Sequence, residues 1–135
     1  MTAHVDRVQL VRNVRDVGFS PLTNLGLNGQ LDEGLVCPLI NREVSGSKDL
    51  AVGLGRILPG QHHLRHHHPD ASEFYVFLAG EPLVHIDGED VRVDAGTAVY
   101  IPKNIVHGIT NDTDNVVELV FGMSMPADWG FVFDE

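Results

Sequence analysis

Cysteine occurs once in the 135 residues, at position 37. A lone cysteine excludes an internal disulfide, and with it the small secreted scaffolds that disulfides staple; a reducing, cytoplasmic setting is expected. Basic residues are scarce as well: 9 Lys and Arg face 19 Asp and Glu, for a net charge of −10. Nucleic acid and anionic membrane both need a basic surface, so neither is expected as a partner. No apolar run approaches the roughly 18 residues of a transmembrane helix. The N-terminal MTAHVDRVQLVRNVRD has no apolar signal-peptide core. Internal repeats and low-complexity linkers are missing too. What remains reads as a single domain of ordinary size, 43% hydrophobic and 21% charged, long enough to bury a core.

Glycine, by contrast, is plentiful. Its 14 copies punctuate short apolar stretches in the manner of an all-β chain. Strands are predicted at about 34–40, 50–58, 64–68, 74–79, 83–87, 90–93, 98–101, 107–110 and 116–123. Turn signals separate them at 45–47, 59–60, 87–88, 94–96 and 111–115. Asp87-Gly88, set between two apolar strands, predicts a two-residue hairpin. An N-terminal arm, about 1–33, has apolar groups between 5 and 17 that fit a strand and a short helix equally poorly. The C-terminal tail, about 124–135, gathers Met125, Trp129, Phe131 and Phe133. Exposed, such a tail would be unusual, so it is expected to pack over a barrel mouth or to join a subunit interface.

The chemistry concentrates in residues 60–80, GQHHLRHHHPDASEFYVFLAG; six of the eight histidines lie between 62 and 85. The run is internal and embedded in strand pattern, which excludes a terminal tag. His66 and His68 are two apart, so on a strand both leave the same face. Glu73 follows at an odd spacing, which a continuous strand would send to the opposite face. Pro69 and Asp70 break the strand, and a new one starting at Glu73 points that carboxylate back at the histidines. His107, in GTAVYIPKNIVHGITN (96–111), must arrive from a distant strand, as a closed barrel permits. Three imidazoles and one carboxylate suit a divalent first-row metal. Four ligands on an octahedral ion leave two positions open, as a catalytic metal requires. By alternation His67 faces outward; His62 and His63 precede the ligand strand and are expected at the rim.

Both segments resemble the two motifs of the cupin superfamily. Gly60, His66, His68, Glu73 and Gly80 stand at every fixed position of the first motif. Gly96, Pro102, His107 and Asn111 match the second, with Asn104 where the family carries glycine. That position calls for a left-handed backbone, which Asn tolerates best after Gly. The resemblance implies a double-stranded β-helix (jelly-roll) barrel and one divalent transition metal (Fe, Mn, Ni, Zn or Cu) held by His66, His68, Glu73 and His107. It implies a small-molecule substrate and, by analogy, an N-terminal arm pairing with a second subunit in a homodimer.

Three further residues are candidates for moving a proton. His85 either faces the cavity or is a surface histidine. Tyr75 shares a face with Glu73, and Tyr100 is a similar case; for both, packing is the plainer role. Asp70 and Ser72 could orient a ligand, although turn chemistry accounts for them. Lys103 reads as solvated, and Cys37, with no basic neighbour in sequence, as an unreactive thiol. Phe77, Val84, Ile86, Val99 and Ile101 are expected to make the cavity largely apolar, which fits a small organic substrate. Among cupins with this ligand set, dioxygenase-type oxygen chemistry is the leading expectation. The alternatives are a non-redox lyase, isomerase, epimerase or decarboxylase using His85, Tyr75 or Tyr100, and a non-catalytic small-ligand-binding barrel.

Overall fold

Period-two alternation governs the strands. The computed structural model describes residues 10–124 and 132–135. In β3 (Leu50–Ile57) every second residue from Ala51 to Ile57 is buried. In β5 (Glu73–Ala79) the inward set is Glu73, Tyr75 and Phe77. The remaining strands are β1 (Ser20–Pro21), β2 (Leu35–Ile40), β4 (His62–His67), β6 (Leu83–Ile86), β7 (Glu89–Arg92), β8 (Ala98–Ile101), β9 (His107–Thr110), β10 (Val117–Ser124) and β11 (Val132–Phe133). All nine predicted strands form, with β4 starting two residues early. The two-residue strands β1 and β11 and the single-turn helix α2 (Arg42–Ser45) were not expected, while the single-turn helix α1 (Val14–Val17) falls in the stretch left open between strand and short helix. In α2 the Asn41 side chain accepts from the Val44 amide and left-handed Gly46 ends the turn.

Two antiparallel sheets result. One runs β1-β2-β3-β10-β5-β8, the other β11-β4-β9-β6-β7. Ile57, Tyr75, Phe77, Ile101, Val117 and Leu119 from the first pack on Val84 and Ile109 from the second, the two-layer arrangement of a double-stranded β-helix. Each such buried side chain contributes about 1.5–3 kcal/mol. Asp87 and Gly88 both take positive φ (50° and 80°), as the predicted hairpin turn requires. Asn104 sits at φ 67°, the left-handed position expected of it.

The chain crosses from one sheet to the other between β4 and β5. The Ser72 amide donates to Ser124 Oγ, and the Ser124 amide returns to the Ser72 carbonyl. Ser72 thus anchors the crossing. The flanking segments lie on the barrel of the same chain. β1 pairs with β2, and the Leu22 amide bonds the Gly34 carbonyl. β11 adds an edge strand to β4, with Phe133 opposite His66. Residues 1–9, and Met125, Trp129 and Phe131 of the tail, lie outside the described residues.

One irregularity shapes β4. His63 pairs with Ile109 and His66 with His107, so three steps on β4 meet two on β9. Leu64 and Arg65 form a bulge opposite Gly108. A Cβ on Gly108 would lie 2.8 Å from the His63 carbonyl oxygen and 3.2 Å from the Arg65 nitrogen. Both are backbone atoms that cannot swing away. Gly108→Ala is expected to cost about 1–3 kcal/mol, read as a lower urea midpoint at unchanged slope. An unchanged midpoint would mean that the bulge has room to spare.

Candidate metal centre

The crossing between sheets solves the parity problem posed by Glu73. His66 and His107 are direct neighbours on β4 and β9. Glu73 opens β5 in the facing sheet, so it meets the imidazoles from across the barrel. His66, His68, Glu73 and His107 are all buried. Each offers one ligand atom, these atoms lie within 4.8 Å of one another, and the group could hold a metal ion.

Hydrogen bonds set the tautomers. His66 Nδ1 donates to the Leu64 carbonyl at 2.7 Å, and His107 Nδ1 to the Ile105 carbonyl at 2.8 Å. A backbone carbonyl only accepts, so in the neutral rings Nε2 carries a lone pair. Yet His107 Nε2 lies 2.9 Å and His68 Nε2 3.2 Å from the same Glu73 oxygen. A lone pair facing a carboxylate at that distance repels it unless a cation, proton or metal, lies between. The donor set therefore fits a divalent metal in chemistry as well as in number.

The electrostatics agree. Burial pushes the His66 imidazole well below its ordinary pKa, and the neighbouring His63 and His107 push it further against the Leu64 hydrogen bond. For Glu73, burial acts upward, but where a proton lies between the carboxylate and the imidazoles, hydrogen bonds from His107 and His68 outweigh burial and leave the carboxyl below its usual range. Burial raises the Cys37 thiol, against the pull of Arg12 and Arg56, as an inert buried thiol requires.

A cavity of about 230 Å³ adjoins the group at Glu73. Its apolar wall includes Leu22, Ile57, Ile109, Leu119 and Phe121. None of the five residues expected to line it does so. Phe77, Val84 and Ile101 are fully buried in the core, with Ile86 and Val99 packed against it. The cavity lies instead toward β2, β3 and β10, beneath residues 22–36.

Of the three candidate proton movers, only Tyr75 reaches this cavity. Its ring stands 6.0 Å from that of His107, and its hydroxyl is buried without a hydrogen-bond partner among the described residues. Burial, then the charges of Glu73 and Asp32, hold the phenol well above its ordinary pKa. Tyr100 is 67% exposed on the outside of the barrel. His85 also points away from the cavity, because its strand neighbour Val84 takes the core side. Both its ring nitrogens are engaged, Nδ1 with Asp90 and Nε2 with Thr110 Oγ1, each at 2.7 Å. Thr110 Oγ1 continues to His62 Nδ1, and His62 Nε2 to Glu135.

His67 faces outward as predicted, paired with Asp134. His63 is not a rim residue: it lines the cavity with Glu73 and Tyr75. Residue alternation could not reveal this, because the bulge puts His63 and His66 on one face despite their odd spacing. Its partner, the fully buried Asp32, carried no signal in the sequence.

Two facing antiparallel sheets around an inward His/Glu cluster define a double-stranded β-helix protein with a candidate metal centre. A family model described as a cupin domain matches residues 53–123, more than half of the chain, and the chain belongs to the cupin family. Over 70 residues it is 40% identical to dimethylsulfoniopropionate lyase DddW of Ruegeria pomeroyi, an alignment covering 52% of this chain and 45% of that protein. The chain thus spans under half the length of that relative. The polyketide cyclase RemF from Streptomyces resistomycificus shares the fold at TM-score 0.77 and 15% identity, covering 93% of this chain and 84% of the other. A predicted oxalate decarboxylase from Thermotoga maritima shares it at TM-score 0.73 and 23% identity, covering 85% and 98%. At those identities the likeness is of fold alone.

The two shifts have the same pH consequence. Below about pH 6.5 the unfolded chain protonates a histidine that the folded chain keeps neutral at His66, so stability falls as pH drops. Glu73, ionised in the fold below its ordinary range, adds a second loss as pH falls through about 4.3. The thermal midpoint of metal-free protein should therefore decline from pH 7 to pH 4, and His66→Gln should flatten the upper part of that decline. A flat profile in the unaltered protein would contradict the neutral His66.

Proposed function

We propose that this cupin is a metal-dependent, non-redox enzyme of lyase or isomerase type acting on a small organic acid. His66, His68, Glu73 and His107 hold the metal, and Tyr75 moves the proton. The observation that carries this reading is the Tyr75 hydroxyl, buried and unpartnered beside the candidate ligands in a mostly apolar cavity. A buried hydroxyl left without a partner costs about 1–3 kcal/mol, a cost that a substrate hydrogen bond removes. The name of the 40%-identical relative, a lyase acting on dimethylsulfoniopropionate, supports the same class.

A bound divalent ion would polarise the substrate carboxylate and so acidify the adjacent C–H. Tyr75 Oη, kept protonated by its burial, is the atom that can give its hydrogen to the negative charge developing on the substrate, since His85 and Tyr100 lie outside the cavity. Leu22, Ile57, Leu119 and Phe121 exclude water around the reacting group.

Each of His66→Ala, His68→Ala and His107→Ala should weaken metal binding by more than the roughly 10–100-fold cost of losing an outer partner. His67→Ala, which loses only Asp134, should keep normal metal content by elemental analysis. Equal loss in His67→Ala would sink the ligand assignment.

The class is tested with zinc-loaded protein under argon, offered dimethylsulfoniopropionate and a panel of small hydroxy acids and followed by NMR. Turnover should proceed without oxygen, and Tyr75→Phe should lower it about 10²–10⁴-fold at unchanged metal content. Turnover that requires iron and consumes oxygen would overturn this reading in favour of the dioxygenase chemistry expected from the family resemblance.

A further inference from the structure

His63 and Asp32 form a pair that the metal group does not use. Asp32 is fully buried, and its carboxylate accepts from the Leu64 amide at 2.9 Å and from His63 Nδ1 at 2.9 and 3.0 Å. Burying a carboxylate is costly unless it is well hydrogen-bonded, and this one meets two donors, an amide and an imidazole. The His63 ring packs 4.7 Å from that of His66, yet His63 stands outside the group whose ligand atoms converge. It lines the cavity with Tyr75 and Glu73. Because a carboxylate only accepts, Asp32 fixes the ring hydrogen on Nδ1. In the neutral ring Nε2 is then a bare acceptor, and no protein group among the described residues meets it.

We infer that His63, held by Asp32, is a specificity-determining residue of the cavity, its Nε2 accepting a hydrogen bond from a hydroxyl that the substrate carries at the end remote from its carboxylate. This deepens the proposed function and rests on the cavity being the site of a small organic acid. The substrate class narrows accordingly to hydroxy acids whose hydroxyl lies apart from the group at the metal. The apolar wall sharpens the choice, because an unmatched hydroxyl there would lose its water partners without compensation. Asp32 does not touch the substrate. It is a positioning residue acting through the tautomer and orientation of His63.

The test is calorimetric titration of zinc-loaded protein with 4-hydroxybutanoate and butanoate, which differ only in the remote hydroxyl. The unaltered protein should bind the hydroxy acid about tenfold more tightly, equivalent to roughly 1.4 kcal/mol. His63→Phe keeps a ring in place, and should bring the ratio to about one while butanoate affinity and metal content hold. Asp32→Asn is isosteric and can still accept the Leu64 amide; it should lower the ratio to a few-fold, an effect that a purely structural role would not produce at constant butanoate affinity. Equal binding of the two acids by the unaltered protein, or an undiminished ratio in His63→Phe, overturns the inference alone. Binding of neither acid overturns the organic-acid reading and the inference with it.

Discussion

Four groups that bear lone pairs are held within 4.8 Å of one another, and with their Nδ1 hydrogens taken by backbone carbonyls the neutral His66 and His107 rings turn Nε2 lone pairs towards the cluster that holds the Glu73 carboxylate. Everything around them serves that crowding. Leu64 and Ile105 carbonyls hold the His66 and His107 rings from behind, so that Nε2 is the atom presented. Crossing from β4 to β5 brings Glu73 to the imidazoles from the facing sheet, and a pair of hydrogen bonds between Ser72 and Ser124 holds the crossing. The sheets themselves are bound by an apolar core that reaches up to Tyr75, directly behind the cluster. A cation placed at the centre would turn each repulsion into an attraction, which is why the geometry reads as a site prepared for one.

The barrel and the cluster were largely legible in the sequence. Alternating apolar residues and the glycine punctuation located nine strands. Asp87-Gly88 announced its hairpin, and Asn104 its left-handed turn. Glu73 could be assigned to the histidine side only because Pro69 and Asp70 interrupt the strand. What escaped the sequence has one main cause. Alternation assigns faces only while the register is regular, and the bulge at Leu64–Arg65 shifts it by one residue. His63, read as preceding the ligand strand, was placed at the rim, yet β4 begins at His62 and the bulge turns His63 into the cavity. The only local sign was Gly108, the small residue opposite the bulge. His85 was ambiguous for a different reason. Its strand is apolar on both sides of it, and the network that occupies its ring draws on Thr110 and Asp90 from other strands.

β4 is also where the flanking segments converge. Its three non-cluster histidines each meet a carboxylate from outside the motif region: His63 meets Asp32, His62 meets Glu135 and His67 meets Asp134. These contacts place the segment before β2 and the segment around β11 against the strand that supplies His66 and leads directly into His68. The cavity owes part of its wall to the first of them, through Leu22, Asn24 and Glu33. Function and the packing of these segments are consequently not separable on this strand.

A bulge releases backbone groups from the ladder, and here two amides need new acceptors. The Leu64 amide finds Asp32 and the Arg65 amide finds Glu135, each at 2.9 Å. Each flanking segment thus closes one of the two vacancies that the bulge opens. These two adjacent amide hydrogens are natural reporters in hydrogen-exchange experiments: Leu64 reads out the seating of the segment before β2 and Arg65 that of the segment after β11, each separately.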